Sequence, residues 1–261
     1  MSQNGLSITG SNYSSWIANT PSPEELHWAT EVLHRLAQHV SLSPNKPCDY
    51  APWTQAFQEI RVEPSLITGL ARKLSRRRWH DHQFAMAEFA ITYLEVDVML
   101  FQSGYDKAKL IRRIGQTNLT PVQLERVQSL LKGAVLKGAG REEFIAYCKL
   151  AAKIMPSGLR YWLHNYAKDA VVIVEGDSQR TQVSWEDLTK DGIYQLLSGR
   201  LNWWARDGHN GTEYLMVKAD RRLRTPDQQI ARNALYMLLR VEAGLAQGEN
   251  LALPLDIPSN E

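Results

Sequence analysis

Cysteine is nearly missing from this chain: its 261 residues include two, Cys48 and Cys148. That number and spacing suit neither a metal cluster nor a disulfide scaffold, so small stapled folds are excluded and a reducing compartment is expected. Long uninterrupted hydrophobic runs are missing as well. The longest apolar stretch, 84–101, contains Glu88, Glu95 and Asp97. Each such charge costs roughly 2.5–3.5 kcal/mol at a bilayer centre, so a buried helix is expected there and a membrane span is not. Residues 1–21 are rich in Ser, Asn, Gly and Thr and lack the basic start and apolar stretch of a signal peptide, which points to a cytoplasmic location. Phosphate-cradling Gly-x-x-x-x-Gly-Lys and dinucleotide Gly-x-Gly-x-x-Gly patterns are absent. Ser178 sits in a short turn with no identifiable base to make it a nucleophile.

What is present is an uneven charge. The net charge is +2, yet residues 72–160 hold sixteen Lys and Arg against eight Asp and Glu, a net +8, and each flank is net −3. With 44% hydrophobic residues, the chain can bury one large core or two modest ones without covalent staples.

Three helix starts are written as capping boxes: Ser22-Pro23-Glu24-Glu25, Thr120-Pro121-Val122-Gln123 and Thr225-Pro226-Asp227-Gln228. Each puts a hydroxyl at the N-cap, Pro at N1 and Glu or Gln at N3. These helices should run to about His39, Lys137 and Ala246. Further helical patterns fit 64–76, 81–102, 105–114 and 141–155, punctuated by Gly104, Gly115, Gly138, Gly140 and Pro156-Ser157-Gly158. Past Gly158 the period changes. Segments 170–175 and 180–185 read as one hairpin, 186–198 as a helix, and 200–206 with 212–219 as a second hairpin before the last capped helix.

The fold class expected is therefore α+β: a mainly helical N-terminal bundle or short helical array followed by a smaller antiparallel ββα-ββα region. The segments are a flexible N-terminus (1–21), a helical region with basic faces (22–156), an antiparallel α+β region (157–246) and a loose tail (247–261).

Helical geometry turns the basic block into faces. In 64–76, Leu66, Ile67, Leu70 and Leu74 share one side, with Arg72 and Arg76 on the other. In 105–114, Lys107, Leu110, Ile111 and Ile114 share one side, opposite Lys109, Arg112 and Arg113. Outward cations suit phosphate backbones, where each neutralised phosphate releases a counterion, and equally an acidic protein; they also solvate ordinary helix faces. Arg-rich usage favours recognition, because the guanidinium fork matches phosphate and carboxylate.

Two other patterns carry chemistry. Asp81, Glu88 and Glu95 recur every seven residues, with Thr92 on the same side. The stripe lacks a Glu-x-x-His pair and a matching set on a second helix, so it reads as a solvent edge or as partners for Arg112, Arg113 or Lys132 rather than a metal site. Asp97 lies on the far side and needs its own partner if buried. His27, His34 and His39 share the first helix without converging on a ligand set.

In the second hairpin, Trp204, Arg206 and Tyr214 mix rings with a cation, as in a platform for unpaired bases; aromatic residues also favour strands for packing alone. Asp207-Gly208-His209 supplies the residue types of a ββα metal nuclease, with His209 as general base and Asp207 or Asn233 on the metal. These are ordinary turn residues too.

The function expected is that of a non-enzymatic binding protein without cofactor or metal. Its partner would be nucleic acid, held by Arg72, Arg76, Lys109, Arg112 and Arg113 with help from the hairpin. The alternatives are an interaction module for an acidic protein and a nuclease centred on His209.

Overall fold

The computed structural model describes residues 20–41, 50–79, 82–99, 103–137, 142–154, 157–167, 171–175, 180–184, 202–206, 213–215 and 226–246. Its contacts divide the chain into two compact units, Met1–Gln123 and Leu124–Glu261. Of the segments expected to be loose at either end, 1–21 and 247–261, residues 1–19 and 247–261 lie outside the described residues, as does the helix expected at 186–198.

In the first unit, α1 (Pro23–Ser41) starts at a complete capping box. The Ser22 amide donates to Glu25 Oε2 at 2.8 Å and the Glu25 amide donates to Ser22 Oγ at 3.2 Å, so two orphan amides of the first turn are satisfied. Next come α2 (Tyr50–Glu59), α3 (Pro64–Arg76), α4 (Gln83–Val96) and α5 (Ser103–Ile114). Helix α2 escapes the sequence pattern because Pro52 looks like a breaker. It occupies the first turn, where a missing N–H breaks no helical hydrogen bond.

Helix α4 is the centre of this unit. Met86, Ala87, Phe89, Ala90, Ile91, Thr92, Tyr93 and Leu94 are all buried, and α1, α3 and α5 pack around it, as suits a helix apolar on nearly every side. The helix stops at Val96 rather than near 102, because Asp97 takes a left-handed conformation (φ 57°, ψ 40°) that ends the ladder.

The second unit contains most of α6 (Pro121–Leu136), α7 (Glu142–Ile154), α8 (Ser157–Ala167) and α9 (Pro226–Ala246). Helices α7 and α8 both pack on α9, which buries Ala234, Leu235, Met237, Leu238, Leu239 and Val241. Helix α8 begins where Pro156-Ser157-Gly158 was expected to end helical structure. Ser157 and Gly158 fall in its first turn, where helix breakers are tolerated.

The α+β expectation is corrected here. The residues whose side chains are described are helical or flank a helix, and the core that they build is a helical array. Short strands β1 (Val171–Glu175), β2 (Arg180–Ser184), β3 (Asn202–Arg206) and β4 (Glu213–Leu215) pair by backbone in the order β2-β1-β3-β4. Strand β1 pairs antiparallel with both β2 and β3, and β3 with β4. Alternating and β-branched residues register local extension; they do not say whether an extended segment builds a core.

Candidate functional site

The basic faces are built by α3 and α5. Helix α3 buries Ile67, Leu70, Ala71, Leu74 and Ser75, leaving Arg72 and Arg76 exposed and Lys73 and Arg77 half-buried. Helix α5 buries Lys107, Leu110, Ile111 and Ile114 among others, with Arg112 exposed and Lys109 and Arg113 half-buried. The two helices pack directly on each other, and Arg72 Nε lies 3.6 Å from Asp106 Oδ2 across the contact. All five expected cations therefore sit on one helix pair.

Their surroundings differ. The Arg113 guanidinium donates from Nη1 to Gln116 Oε1 at 3.0 Å, and Arg77 Nη1 donates to Thr20 Oγ1 at 3.4 Å. Burial holds the Lys73 ammonium below the usual lysine range, repulsion from Arg77 adds to that, and Glu25 opposes it. Arg76 and the Arg112–Arg113 pair also stand in the last turns of their helices, where cations interact favourably with the helix dipole by about 0.3–1 kcal/mol. Part of the basic pattern thus has a purely structural cause.

A polar cluster lies inside the same helices. Lys107, whose side chain is 2% exposed, pairs through Nζ with Asp97 Oδ1; the Asp97 side chain is 23% exposed. Lys107 shares the apolar face of α5 by spacing, and its ammonium is the partner that a buried Asp97 carboxylate requires. The Tyr93 hydroxyl is buried without a hydrogen-bond partner. Burial pushes its phenol up, with Asp106 and Asp97 adding to the shift and Arg72 opposing it.

The carboxylate stripe does not form a single edge. Glu95 is exposed, Glu88 is half-buried and Thr92 is fully buried; Asp81 lies outside the described residues. Glu88 Oε2 accepts from Gln123 Nε2 at 3.2 Å, and the same amide donates to the Phe84 carbonyl at 3.1 Å. Gln123 also closes the second capping box, its Oε1 accepting from the Thr120 amide at 3.2 Å. Among the described residues no group of three or more His, Cys, Asp and Glu could hold a metal ion.

In the second unit, Trp204 and Arg206 lie on β3 and Tyr214 on β4. The register pairs Trp204 with Leu215, Ala205 with Tyr214 and Arg206 with Glu213. Asp207 and His209 lie outside the described residues. Asn233 is fully buried on α9, and its Nδ2 donates to the Val135 carbonyl at 3.4 Å.

No described helix is long and apolar enough to cross a membrane. Compared with protein-family models, curated proteins and solved structures, the chain matches none.

Proposed function

We propose that the protein is a non-enzymatic nucleic-acid-binding protein of the cytoplasm that grips the phosphate backbone with the outer faces of α3 and α5. The observation that supports this most is the direct packing of these two helices, with Arg72, Arg76 and Arg112 exposed and Lys109 and Arg113 half-buried on them. Arginines on neighbouring helices can each neutralise a phosphate, giving sequence-independent affinity that falls with salt. A cytoplasmic setting accords with a chain of two cysteines, Cys48 and Cys148, whose number and spacing suit no disulfide scaffold.

The test is anisotropy of fluorescein-labelled short DNA and RNA across a salt series. Binding should weaken linearly on a log–log plot, and combined Arg72, Arg76, Arg112 and Arg113→Ala should leave the helical circular dichroism intact. The slope should then fall by about 3, since each lost phosphate contact removes roughly 0.7–0.9. Salt-independent binding, or unaltered binding by the variant, defeats the proposal. A partner captured through these arginines after complete nuclease digestion would instead assign the face to an acidic protein.

A further inference from the structure

Arg72 joins the basic face of α3 to the interior. Its guanidinium Nε lies 3.6 Å from Asp106 Oδ2 on α5, and the Asp106 side chain is 10% exposed while that of Arg72 is 44% exposed. One edge of the guanidinium thus faces a carboxylate set between the helices, while much of the side chain faces solvent. The Tyr93 phenol on α4 is pushed up chiefly by burial, with Asp106 adding to the shift and Arg72 opposing it. The ion pair and the buried hydroxyl therefore share one electrostatic neighbourhood among α3, α4 and α5.

A carboxylate in this place either competes with a phosphate for Arg72 or holds Arg72 for one. Competition requires Arg72 to leave, and that strands a carboxylate in the interior, which is strongly unfavourable. A phosphate arriving at this face therefore meets Arg72 with Asp106 still in place. A guanidinium carries donors on more than one edge, so contact through Nε engages one of them. A side chain held in advance also loses less freedom when it binds. Asp106 stands in the first turn of α5 as well, where a carboxylate suits the helix dipole. That second role does not involve Arg72, so the two can be told apart.

We infer that Asp106 is a positioning residue of the phosphate grip, holding Arg72 so that its guanidinium meets a backbone phosphate already oriented. This role rests on the nucleic-acid function above and adds to its site a residue of the opposite charge. A carboxylate beside a polyanion repels it, so by charge alone removing Asp106 tightens binding. Positioning reverses that sign.

The test is a double-mutant cycle of Asp106→Asn and Arg72→Ala, read by anisotropy of fluorescein-labelled short DNA at low salt. Asparagine keeps the size of aspartate and removes its charge, and circular dichroism reports whether the helices persist. Asp106→Asn should weaken binding roughly two- to tenfold, the ordering cost of one side chain no longer held. In the Arg72→Ala background the same change should weaken it no further. Binding by Asp106→Asn as tight as wild type, or tighter, overturns the role. An equal loss in both backgrounds also overturns it, because that reports damage to α5 instead. Arg72→Lys keeps a cation beside the carboxylate and serves even if Asp106→Asn fails to fold. An ammonium is a point charge without separate edges, so this variant should lose affinity about as far as Arg72→Ala; Arg72→Lys that binds like wild type overturns the positioning. If wild type binds neither DNA nor RNA at low salt, the nucleic-acid function fails and this role with it, whereas normal wild-type binding with a failed cycle removes Asp106 alone.

Discussion

The Lys107 ammonium reaches from α5 to the Asp97 carboxylate at the end of α4, and only 2% of the lysine side chain is left in contact with solvent. An ion pair so placed adds little net stability, since desolvation offsets the attraction, yet losing one partner strands the other charge. Asp97→Asn tests this cleanly, because asparagine accepts the left-handed backbone. It should destabilise the first unit by about 3 kcal/mol, the low end for a broken buried pair given the partial exposure of Asp97. Adding Lys107→Met should restore most of the loss in urea unfolding.

Tyr93 presents the opposite case, a buried hydroxyl with nothing to bond. Tyr93→Phe should be neutral or stabilising by up to about 1 kcal/mol, since it removes an unsatisfied group and leaves the ring contacts, including the stack with Phe89. The phenol also couples folding to pH. Its folded pKa lies above the ordinary 10.0, so its contribution is fully present below pH 10.0 and is lost as pH rises beyond it, where the unfolded phenol can ionise. Stability of wild type above pH 10 should therefore fall more steeply than that of Tyr93→Phe.

Gln123 accepts from the Thr120 amide with Oε1 while Nε2 donates to Glu88 and to the Phe84 carbonyl. Gln123→Glu keeps the cap acceptor but replaces those donors with a carboxylate beside Glu88. A loss of roughly 2 kcal/mol at neutral pH follows from two lost hydrogen bonds and like-charge contact. The loss should shrink in acid as a carboxyl is protonated, whereas Gln123→Ala should show no such recovery.

Lys73 is held below its usual 10.5 chiefly by burial. Here the unfolded state binds more protons, so stability should rise with pH through the window below 10.5. Lys73→Met should flatten that rise and be neutral or mildly stabilising at pH 7, by equilibrium unfolding. Because Lys73 is no part of the proposed phosphate grip, its variant should bind DNA or RNA almost as well as wild type.

Much of the helical layout was legible along the chain. Ser22, Thr120 and Pro64 mark helix starts through local chemistry, and the apolar spacing of Ile67, Leu70 and Leu74 reports which side of α3 is buried. The cations Arg72, Arg76 and Arg112 were legible as outward-facing for the same reason. Helix α8 was overlooked because Pro156-Ser157-Gly158 reads as a stop, although Leu159, Leu163 and Ala167 already stood at helical spacing. The β-branched run at 171–174 misled in the other direction, suggesting an α+β core where helices supply the described one.

By itself, then, the sequence determined where helices begin, which faces are apolar and that positive charge gathers between 72 and 160, since these depend on residues a few positions apart. Tertiary structure alone decided that Lys107 meets Asp97, that Arg72 turns toward Asp106, and that α3 and α5 pack on each other. Such pairings join residues whose proximity is set by helix packing around α4. Spacing along a chain constrains the angle of a side chain on its own helix, but not which neighbour that helix will meet.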